Sequence, residues 1–377
     1  MQKLIPHLWY NDNAREAATW YVSLFENSGI DQTTVIYDTP SGDAELVDFH
    51  LANFHISSIS AGPFFQFNPS LSFMVSCVDS SEVQRLYTAF SEGGTVLMPL
   101  DSYSFSPQYA WVQDRYGLSW QLIQDENLTE KTYIRPTLLF SGNSCGKALD
   151  AMDYYAKVFP NSSKGYVHHY GDGEAEDSRA KINYGELTLM GTPWVVMDNN
   201  FGGDYDFDEA FSFIIQCEHQ GEVDDYWELL SFDPESEQCG WLKDQFNLSW
   251  QVTPRSISTM MATATEEEMR RLTKAFLPMK KLDIHLIEAA KNNLKIPDPI
   301  IVTTDIPSDI NTVWSCWTES EHITGWYFAS NDWHSPSASN DLRPGGTFVT
   351  RMESKDGSVG FDFSGIYDCR PPSLHRI

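Results

Sequence analysis

Few residues of this sequence have the types and the spacing that chemistry requires. His168 and His169 are followed by three acidic residues before position 177, which is the composition of a metal-ligand cluster. They lie in a glycine-rich stretch without the fixed spacing of ligands on a strand or helix, so a solvated loop is the favoured interpretation. The acidic run at 204–209 lacks the glycine and the distal glutamate of a calcium loop and is set aside.

Two further chemistries find no support in the sequence. Cys77 and Cys217 occupy matching strand-like positions among apolar or acidic neighbours, whereas a reactive thiol needs an electropositive setting, so buried structural cysteines are predicted. The six cysteines include no C-x-x-C pair, which argues against a zinc ribbon or a thioredoxin-like site. The glycine-rich G-x-G-x-x-G loop typical of cofactor-dependent methyltransferases does not occur either.

The composition excludes several classes of partner. A length of 377 residues is too great for one ordinary core and indicates two or three domains. A formal charge of −28, from 53 acidic and 25 basic residues, repels phosphate backbones and anionic lipids, so we predict neither a nucleic-acid nor a membrane partner. The first residues lack the apolar core of a signal peptide, and no apolar run would span a bilayer. We therefore expect a cytoplasmic protein with reduced thiols.

An internal repeat organises most of the chain. The segment Ser119-Trp120-Gln121 returns as Ser249-Trp250-Gln251, 130 residues later, and both copies follow an aspartate at the same spacing. Upstream, Ser72-Phe73 returns as Ser212-Phe213 after 140 residues. The spacing changes because the second copy is about ten residues shorter just before Trp241. The second copy is therefore predicted to lack one strand or long loop of the first.

Each copy is predicted to contain two modules with the order strand, helix and three strands. Alternating apolar residues predict the strands, and apolar residues on one helical face predict the helices, with Asn13 and Asp79 as candidate N-caps. The fold class is therefore α+β, with paired βαβββ modules in each repeat. In the first copy the predicted elements are a strand at 4–10, a helix at 13–26, strands at 45–51 and 54–60, a strand at 71–78, a helix at 80–91, and strands at 95–98, 109–113 and 118–124.

These motifs resemble the PhnB-like branch of the vicinal oxygen chelate superfamily, which is often labelled 3-demethylubiquinone-9 3-methyltransferase-like. The resemblance covers residues 3–125 and 133–254, and it implies two tandem vicinal-oxygen-chelate domains at 1–126 and 133–255. Such domains fold paired modules into a curved, cup-shaped sheet. In the first copy the residues that carry the resemblance are Asn13-Ala14-Arg15-Glu16-Ala17, Tyr21, Phe25, the segment 72–77, Asp114 and Ser119-Trp120-Gln121.

The resemblance also implies where a site would lie. Metal-using members carry His, Glu or Gln on strands that face into the cup. His7 occupies the position of their first ligand and Gln121 that of the last, which is usually Glu, whereas Phe73 is near the third. His50 or Asp48 is expected to face inward from a middle strand. An amide binds a metal more weakly than a carboxylate, and Phe cannot bind one, so a classical metal triad is not expected.

The second copy departs further from a metal site, because Thr137 replaces His7 and Gln251 is again an amide. No cofactor is therefore predicted, and a divalent metal at His7, His50 and Gln121 is the alternative. Competing structural interpretations are a buried strand histidine for His7 and satisfied sheet amides for the two glutamines. Strand alternation places Trp120 and Trp250 on the opposite face from these glutamines. The predicted ligand-binding residues are His7, His50, Gln121 and Gln251.

A helical extension is predicted after the second repeat, at 256–296. Thr265 and Glu268 have the spacing of a capping box, which opens a helix that runs to about Asn293. Apolar residues on this helix are expected to dock on the second repeat. The sequence Pro297-Asp298-Pro299 ends the helix and marks a boundary.

The last segment, 297–377, resembles the start of an Hsp90-ATPase-activator-like domain of the START/SRPBCC, helix-grip type. A strand is predicted at 300–304 and a helix from Ser308. The resemblance implies a partial α+β domain, since the sequence ends at Ile377 before the expected long helix. We therefore expect an exposed apolar sheet face in this domain. The motifs that carry the resemblance are Trp317-Thr318, His322-Ile323, Trp326 and the segment 342–348.

Three functions are compatible with these features. The leading hypothesis is a cytoplasmic PhnB-like protein that binds a small organic molecule in its cups, with or without catalysis, and without a classical metal triad. The first alternative is a metal-dependent enzyme that uses His7 and Gln121. The second is a structural pseudo-dimer of the two repeats that supports the C-terminal domain. The sequence is also compatible with a homodimer of the whole chain. Methyl transfer has no support in the sequence.

Overall fold

The computed structural model separates the chain into two compact units. Unit 1 contains Met1–Cys217 and Tyr226–Leu294, and unit 2 contains Glu218–Asp225 and Lys295–Ile377. Among the described residues, no helix is both long and apolar enough to cross a membrane. The structure describes residues 2–126, 128, 131–203, 205–295, 304–343 and 345–367.

The first repeat confirms the predicted order of two βαβββ modules. Strand β2 was missing from the prediction because its residues are mostly polar and only partly covered at the edge of a sheet. Asp79 caps α2 as predicted, whereas the Asn13 side chain makes no capping bond. The elements are β1 (Leu4–Tyr10), α1 (Ala14–Leu24), β2 (Gly29–Thr39), β3 (Gly42–Leu51), β4 (Phe54–Ser60), β5 (Leu71–Cys77), α2 (Ser80–Ser91), β6 (Thr95–Tyr103), β7 (Ser106–Gln113) and β8 (Ser119–Gln124).

The second repeat has the same order with one strand fewer in its second module, as the shortened sequence predicts. His168 and His169 belong to strand β10, so the prediction of a loop at these two residues was wrong. The elements are β9 (Tyr133–Phe140), α3 (Ala148–Val158), β10 (Ser163–His169), β11 (Ile182–Leu189), β12 (Thr192–Asp198), β13 (Phe211–Cys217), α4 (Gln220–Leu230), β14 (Trp241–Lys243) and β15 (Ser249–Pro254).

The two large sheets each combine strands of both repeats. Sheet A has the order β14-β15-β13-β1-β4-β3-β2, and sheet B has the order β10-β11-β12-β9-β5-β8-β7-β6. Antiparallel pairing of β1 with β13 joins the repeats in sheet A, and pairing of β5 with β9 joins them in sheet B. The expectation that each repeat closes its own cup was therefore wrong: one module of each repeat contributes to each sheet.

A buried aspartate connects the two modules within each repeat. The Oδ2 atom of Asp114 accepts hydrogen bonds from the hydroxyl of Tyr21 on α1 at 2.7 Å and from Nε1 of Trp120 on β8 at 2.8 Å. Its Oδ1 atom accepts from the backbone N–H groups of Tyr116 and Leu118. Burial raises the pKa of Asp114 to about 6, and these four donors oppose that rise. The carboxyl group thereby ties the first module to the second.

The second repeat contains the same arrangement around Asp244. Tyr155 on α3 donates to its Oδ2 atom at 2.7 Å, and Trp250 on β15 donates at 2.8 Å. Burial raises the pKa of this carboxyl to about 6 as well. The aspartate that precedes each Ser-Trp-Gln segment is thus a structural residue, and so is the tryptophan, which is fully buried in both repeats.

The helical extension consists of three helices instead of the predicted long one. They are α5 (Arg255–Thr263), α6 (Glu266–Phe276) and α7 (Ile284–Lys291). The predicted capping box of Thr265 and Glu268 opens α6. Pro278 follows its end, where a proline ring prevents the helix from continuing.

The extension packs on sheet A through both repeats, not on the second repeat alone. Met269, Leu272 and Phe276 of α6 are buried in one cluster with Ile36 and Ala44 of the first repeat. On the second repeat, the Cys239 N–H donates to the carbonyl of Met279 at 2.6 Å. Trp9, Leu46 and Ile59 pack against the same cluster.

Unit 2 contains two short helices and a three-stranded antiparallel sheet of order β16-β17-β18. Phe361 and Phe363 on the edge strand β18 are 48% and 44% exposed, as expected for an apolar face without cover. Most of the strand predicted at 300–304 and the boundary at 297–299 lie outside the described residues. The elements are α8 (Ile310–Thr318), α9 (Ser320–Ile323), β16 (Trp333–Asn340), β17 (Thr347–Ser354) and β18 (Gly360–Ile366).

We predict that the substitution Asp114→Asn lowers the free energy of unfolding by about 2–3 kcal/mol. An amide offers one acceptor atom instead of two, so either Trp120 or the backbone donors lose their partner. Urea unfolding at pH 7 measures the effect, with the exposed Asp12→Asn as a control. A loss below about 0.5 kcal/mol, the range of ordinary surface substitutions, would contradict the structural role of this carboxyl.

Candidate functional site

Each large sheet has one face that packs against helices of the repeats and one face that carries the glutamine of a Ser-Trp-Gln segment. Trp120 and Trp250 lie on the first face, and Gln121 and Gln251 lie on the second. We call the second face of sheet A cup A and that of sheet B cup B. The predicted position of the two tryptophans is therefore confirmed.

A row of four side chains crosses cup B on adjacent strands. Arg135 of β9 pairs with Met74 of β5, which pairs with Gln121 of β8, which pairs with Trp111 of β7. Partners in register share a face, so these side chains are neighbours on the cup. The corresponding row in cup A is Ile5, Ile214, Gln251 and Trp241.

The amide of Gln121 is held from two sides. Its Oε1 atom accepts a hydrogen bond from the hydroxyl of Tyr109 at 2.8 Å, and its Nε2 group donates to Ser72 Oγ at 3.0 Å. Tyr109 is buried, which raises the pKa of its hydroxyl well above the usual range and keeps it a donor. One lone pair and one N–H of the amide remain for a ligand.

His7 is the most buried titratable group of cup A. Its side chain is only 3% exposed, and its Nδ1 atom is buried without a hydrogen-bond partner. The ring lies edge-on to Trp241, with 5.6 Å between centroids. Burial lowers the pKa of His7 to about 3, so the imidazole is neutral at physiological pH. The predicted buried strand histidine is therefore what the structure contains.

Polar residues continue from His7 along the strands of cup A. His7 pairs with Ser57 of β4, and Ser57 pairs with Asp48 of β3. Burial raises the pKa of Asp48, whereas its hydrogen bond with Ser57 acts in the opposite direction. His50 is on the same face, where its Nδ1 atom lies 2.8 Å from Oδ1 of Asp31. Both inward-facing candidates of the middle strand thus belong to cup A.

The structure divides the predicted site residues between the two cups. His7, His50 and Gln251 belong to cup A, and Gln121 belongs to cup B. The proposed grouping of His7 and His50 with Gln121 was therefore wrong, because the sheets exchange modules between repeats. Gln251 is the residue that accompanies His7, and it donates to Ser212 Oγ at 3.0 Å.

The position near the third ligand was also misassigned. Phe73 and Phe213 lie on the helix-packed face, where each packs against the tryptophan of a Ser-Trp-Gln segment. Ser72 and Ser212 face the cups instead and bond to the glutamines. A shift of one residue along a strand reverses the face, which explains the error.

The donor set of the cups does not fit a metal centre of the superfamily's kind. Cup A offers the imidazoles of His7 and His50, the carboxyl of Asp48, an amide and serine hydroxyls spread over several strands, whereas a divalent cation needs several strong N or O ligands that converge. Among the described residues, three His, Cys, Asp or Glu ligand atoms approach within 4.8 Å of one another only at Glu319, Glu321 and His322, which are exposed in unit 2.

The helical extension packs beside His7 on cup A, because Trp9, Ile59 and Leu46 share a face with His7 and contact the α5–α7 cluster. The row of cup A is nevertheless partly exposed, whereas Arg135, Met74 and Gln121 in the row of cup B are buried. At the margin of cup B, Phe105 contacts Tyr109 and is 60% exposed.

Arg135 is the residue of cup B that the sequence analysis missed. It aligns with Ile5 of the first repeat and interrupts an apolar strand. This replacement of an apolar residue by a charged one could have indicated a functional position. It is 7% exposed, and no other Lys or Arg among the described residues is buried. Sequence alone does not give the direction of the side chain, which the pairing of β9 with β5 determines.

The thiols play no part in either cup's row. Cys77 and Cys217 are buried thiols, as predicted. Burial raises the pKa of the Cys77 thiol well above its usual range, which leaves it protonated and unreactive.

Paired βαβββ modules that form two cup-like sheets define a protein of the vicinal oxygen chelate, or glyoxalase, fold. The family model for 3-demethylubiquinone-9 3-methyltransferase matches residues 2–123 and 132–253, more than half of the chain. This protein belongs to that PhnB-like family, in tandem form. Residues 307–373 match the model for the activator of Hsp90 ATPase homolog 1-like protein.

Several solved structures are similar to parts of the chain. A PhnB protein from Bacillus cereus is 32% identical over 33% of this chain and 100% of its own, with a TM-score of 0.31. Glyoxalase I from Zea mays is 12% identical over 60% of this chain and 80% of its own, with a TM-score of 0.41. An AHSA1-like protein from Aeromonas hydrophila is 41% identical over 18% of this chain, with a TM-score of 0.17. This chain spans 45% of that protein's length. No curated protein matches the chain.

We predict that His7→Leu removes a pH-dependent loss of stability. The unfolded chain binds a proton at His7 near pH 6.5, whereas the folded chain excludes it until about pH 3. The stability that His7 contributes is thus present above pH 6.5 and falls as the pH decreases. Between pH 7.5 and 5.0 the wild type should lose about 2 kcal/mol relative to the variant in urea unfolding. A constant difference between the two proteins would contradict a buried neutral imidazole.

Proposed function

We propose that this protein binds a small organic molecule in cup B. One observation carries the proposal: the two cups have the same architecture, and among the described residues only cup B has a buried guanidinium, that of Arg135, in the row that contains its glutamine. Ile5 stands at the matching position of cup A, and helices α5–α7 pack beside His7 there. Arg135, Met74 and Gln121 are buried in cup B, whereas Phe105 at its margin is exposed.

The lining of cup B has the composition of a site for an organic ligand. Met74, Trp111 and Tyr109 provide apolar and aromatic surface, and Gln121 provides one hydrogen-bonding amide. Small-molecule sites typically combine such walls with a small number of polar groups of fixed orientation. The bond from Tyr109 to Gln121 restrains the amide, so a ligand need not order it on binding.

Binding, and not metal-assisted catalysis, is the activity that we propose for the cups. The metal-dependent alternative required His7 and Gln121 in one site, and these residues lie on different sheets. We also propose that the protein resides in the cytoplasm, where the reduced state of Cys77, Cys145, Cys217, Cys239 and Cys316 would be maintained.

Gln121→Leu should weaken ligand binding, and Gln251→Leu, the same change in cup A, should not. We suggest a screen of small aromatic fragments against the full chain by ligand-observed NMR. Loss of one hydrogen bond predicts an affinity about fivefold lower in Gln121→Leu. Thermal unfolding of both variants controls for folding. Equal binding by all three proteins, or loss only in Gln251→Leu, would contradict the assignment to cup B.

Elemental analysis addresses the metal alternative directly. We expect the purified full chain to contain no stoichiometric divalent metal that depends on His7. Stoichiometric metal in the wild type that disappears in His7→Ala would contradict the proposal and support a metal site in cup A.

A further inference from the structure

Within the described residues, no carboxylate forms an ion pair with Arg135. Its Nη1 group donates to the hydroxyl of Tyr184 at 3.2 Å, and its Nη2 group donates to Ser76 Oγ at 3.0 Å and to Met74 Sδ at 3.4 Å. All three acceptors are uncharged. The Nε atom is buried and has no hydrogen-bond partner. A buried guanidinium is normally paired with a carboxylate, because transfer of a lone charge from water is costly.

The local charges make this arrangement more unusual. The chain carries a formal charge of −28, so carboxylates are abundant, yet no ion pair joins Arg135 to any of them within the described residues. Glu186 is linked only through the hydroxyl of Tyr184, which donates to its Oε1 atom at 3.3 Å. The ring of Tyr133 lies 5.0 Å from the guanidinium carbon and supports the cation from below.

The duplicated fold provides an internal reference for this position. Ile5 occupies it in cup A, beside Ile214 in the matching row. A strand residue at this place therefore packs well without any charge. The packing of the sheet therefore does not require the charge of Arg135 at this position.

We propose that Arg135 binds the carboxylate of a small organic acid in cup B. This inference rests on the proposed function of the cup and specifies the class of ligand. A guanidinium has five N–H donors in a planar fork that matches a carboxylate, and Arg135 commits three of them, one to a weakly accepting thioether sulfur.

The row across cup B also indicates the size of the acid. Arg135 and Gln121 are separated by the single strand β5, so their backbones are about 10 Å apart at the usual strand spacing. A molecule with a carboxylate at one end and a hydrogen-bonding group near the other reaches both residues. Its apolar middle lies over Met74, and Trp111 flanks the far end.

The charge balance favours a monoanion over a dianion. Arg135 is the only buried Lys or Arg in the described part of the chain, so it compensates one negative charge. The second negative charge of a phosphate monoester would have no buried cation to compensate it, and the protein itself is strongly acidic. A carboxylate is therefore the expected ligand group.

Matched pairs of small molecules test the inference. We suggest 3-phenylpropionate, its primary amide 3-phenylpropanamide, and phenyl phosphate as probes of the full chain by ligand-observed NMR. Wild type should bind the acid about tenfold more tightly than the amide, because the charge-assisted hydrogen bonds are lost in the amide. Arg135→Met should abolish this preference. Ile5→Met introduces methionine at the matching position of cup A and should retain the preference.

Each outcome separates the inference from the proposed function. Equal binding of acid and amide by the wild type overturns the carboxylate site and leaves the cup as a binding site for neutral molecules. An acid preference that survives in Arg135→Met overturns the assignment of the carboxylate to Arg135. Tighter binding of phenyl phosphate than of 3-phenylpropionate overturns the choice of a monoanion. Binding of no probe by the wild type overturns both proposals. Thermal unfolding confirms that Arg135→Met and Ile5→Met are folded.

Discussion

The structure depends on two strand pairings between repeats, β1 with β13 and β5 with β9. Each pairing supplies the central backbone hydrogen bonds of one sheet. Without its pairing, each sheet would divide into two parts with exposed strand edges. The pairings determine which side chains meet on a cup. They place His7 beside Ser212 and Gln251, and Thr137 beside Ser72 and Gln121. This exchange of modules therefore determines which of the predicted site residues share a cup.

The buried aspartates explain how modules can be exchanged while each repeat keeps its own core. Asp114 accepts from Tyr21 in the first module and from Trp120 in the second. Asp244 does the same with Tyr155 and Trp250. The two modules of one repeat therefore pack against each other, whereas each cup-shaped sheet is formed by strand pairing between modules of different repeats.

Sequence patterns were sufficient for the local structure and insufficient for the site. The predicted helix at 80–91 and strand at 4–10 agree with α2 and β1, because strong apolar periodicity and a capping residue define them. Strand β2 was missed because an edge strand buries little surface and therefore needs few apolar residues. The partner of His7 was missed because strand pairing over some 200 residues leaves no local pattern. Arg135 was missed for the same reason: only the register of β9 against β5 directs it into cup B.

The nested order of the modules has a consequence for synthesis on the ribosome. All strands of sheet B lie between Leu71 and Asp198, whereas sheet A needs the first module and the last, which begins at Phe211. All strands of sheet B are therefore synthesised while one edge of β1 is still unpaired. Its partner, β13, follows about 200 residues later in the chain. Because exposed edges promote association between chains, the unpaired edge of β1 makes the early module vulnerable to such association during synthesis. The extension that packs on cup A begins at Arg255, directly after β15, and therefore follows all strands of sheet A in the chain.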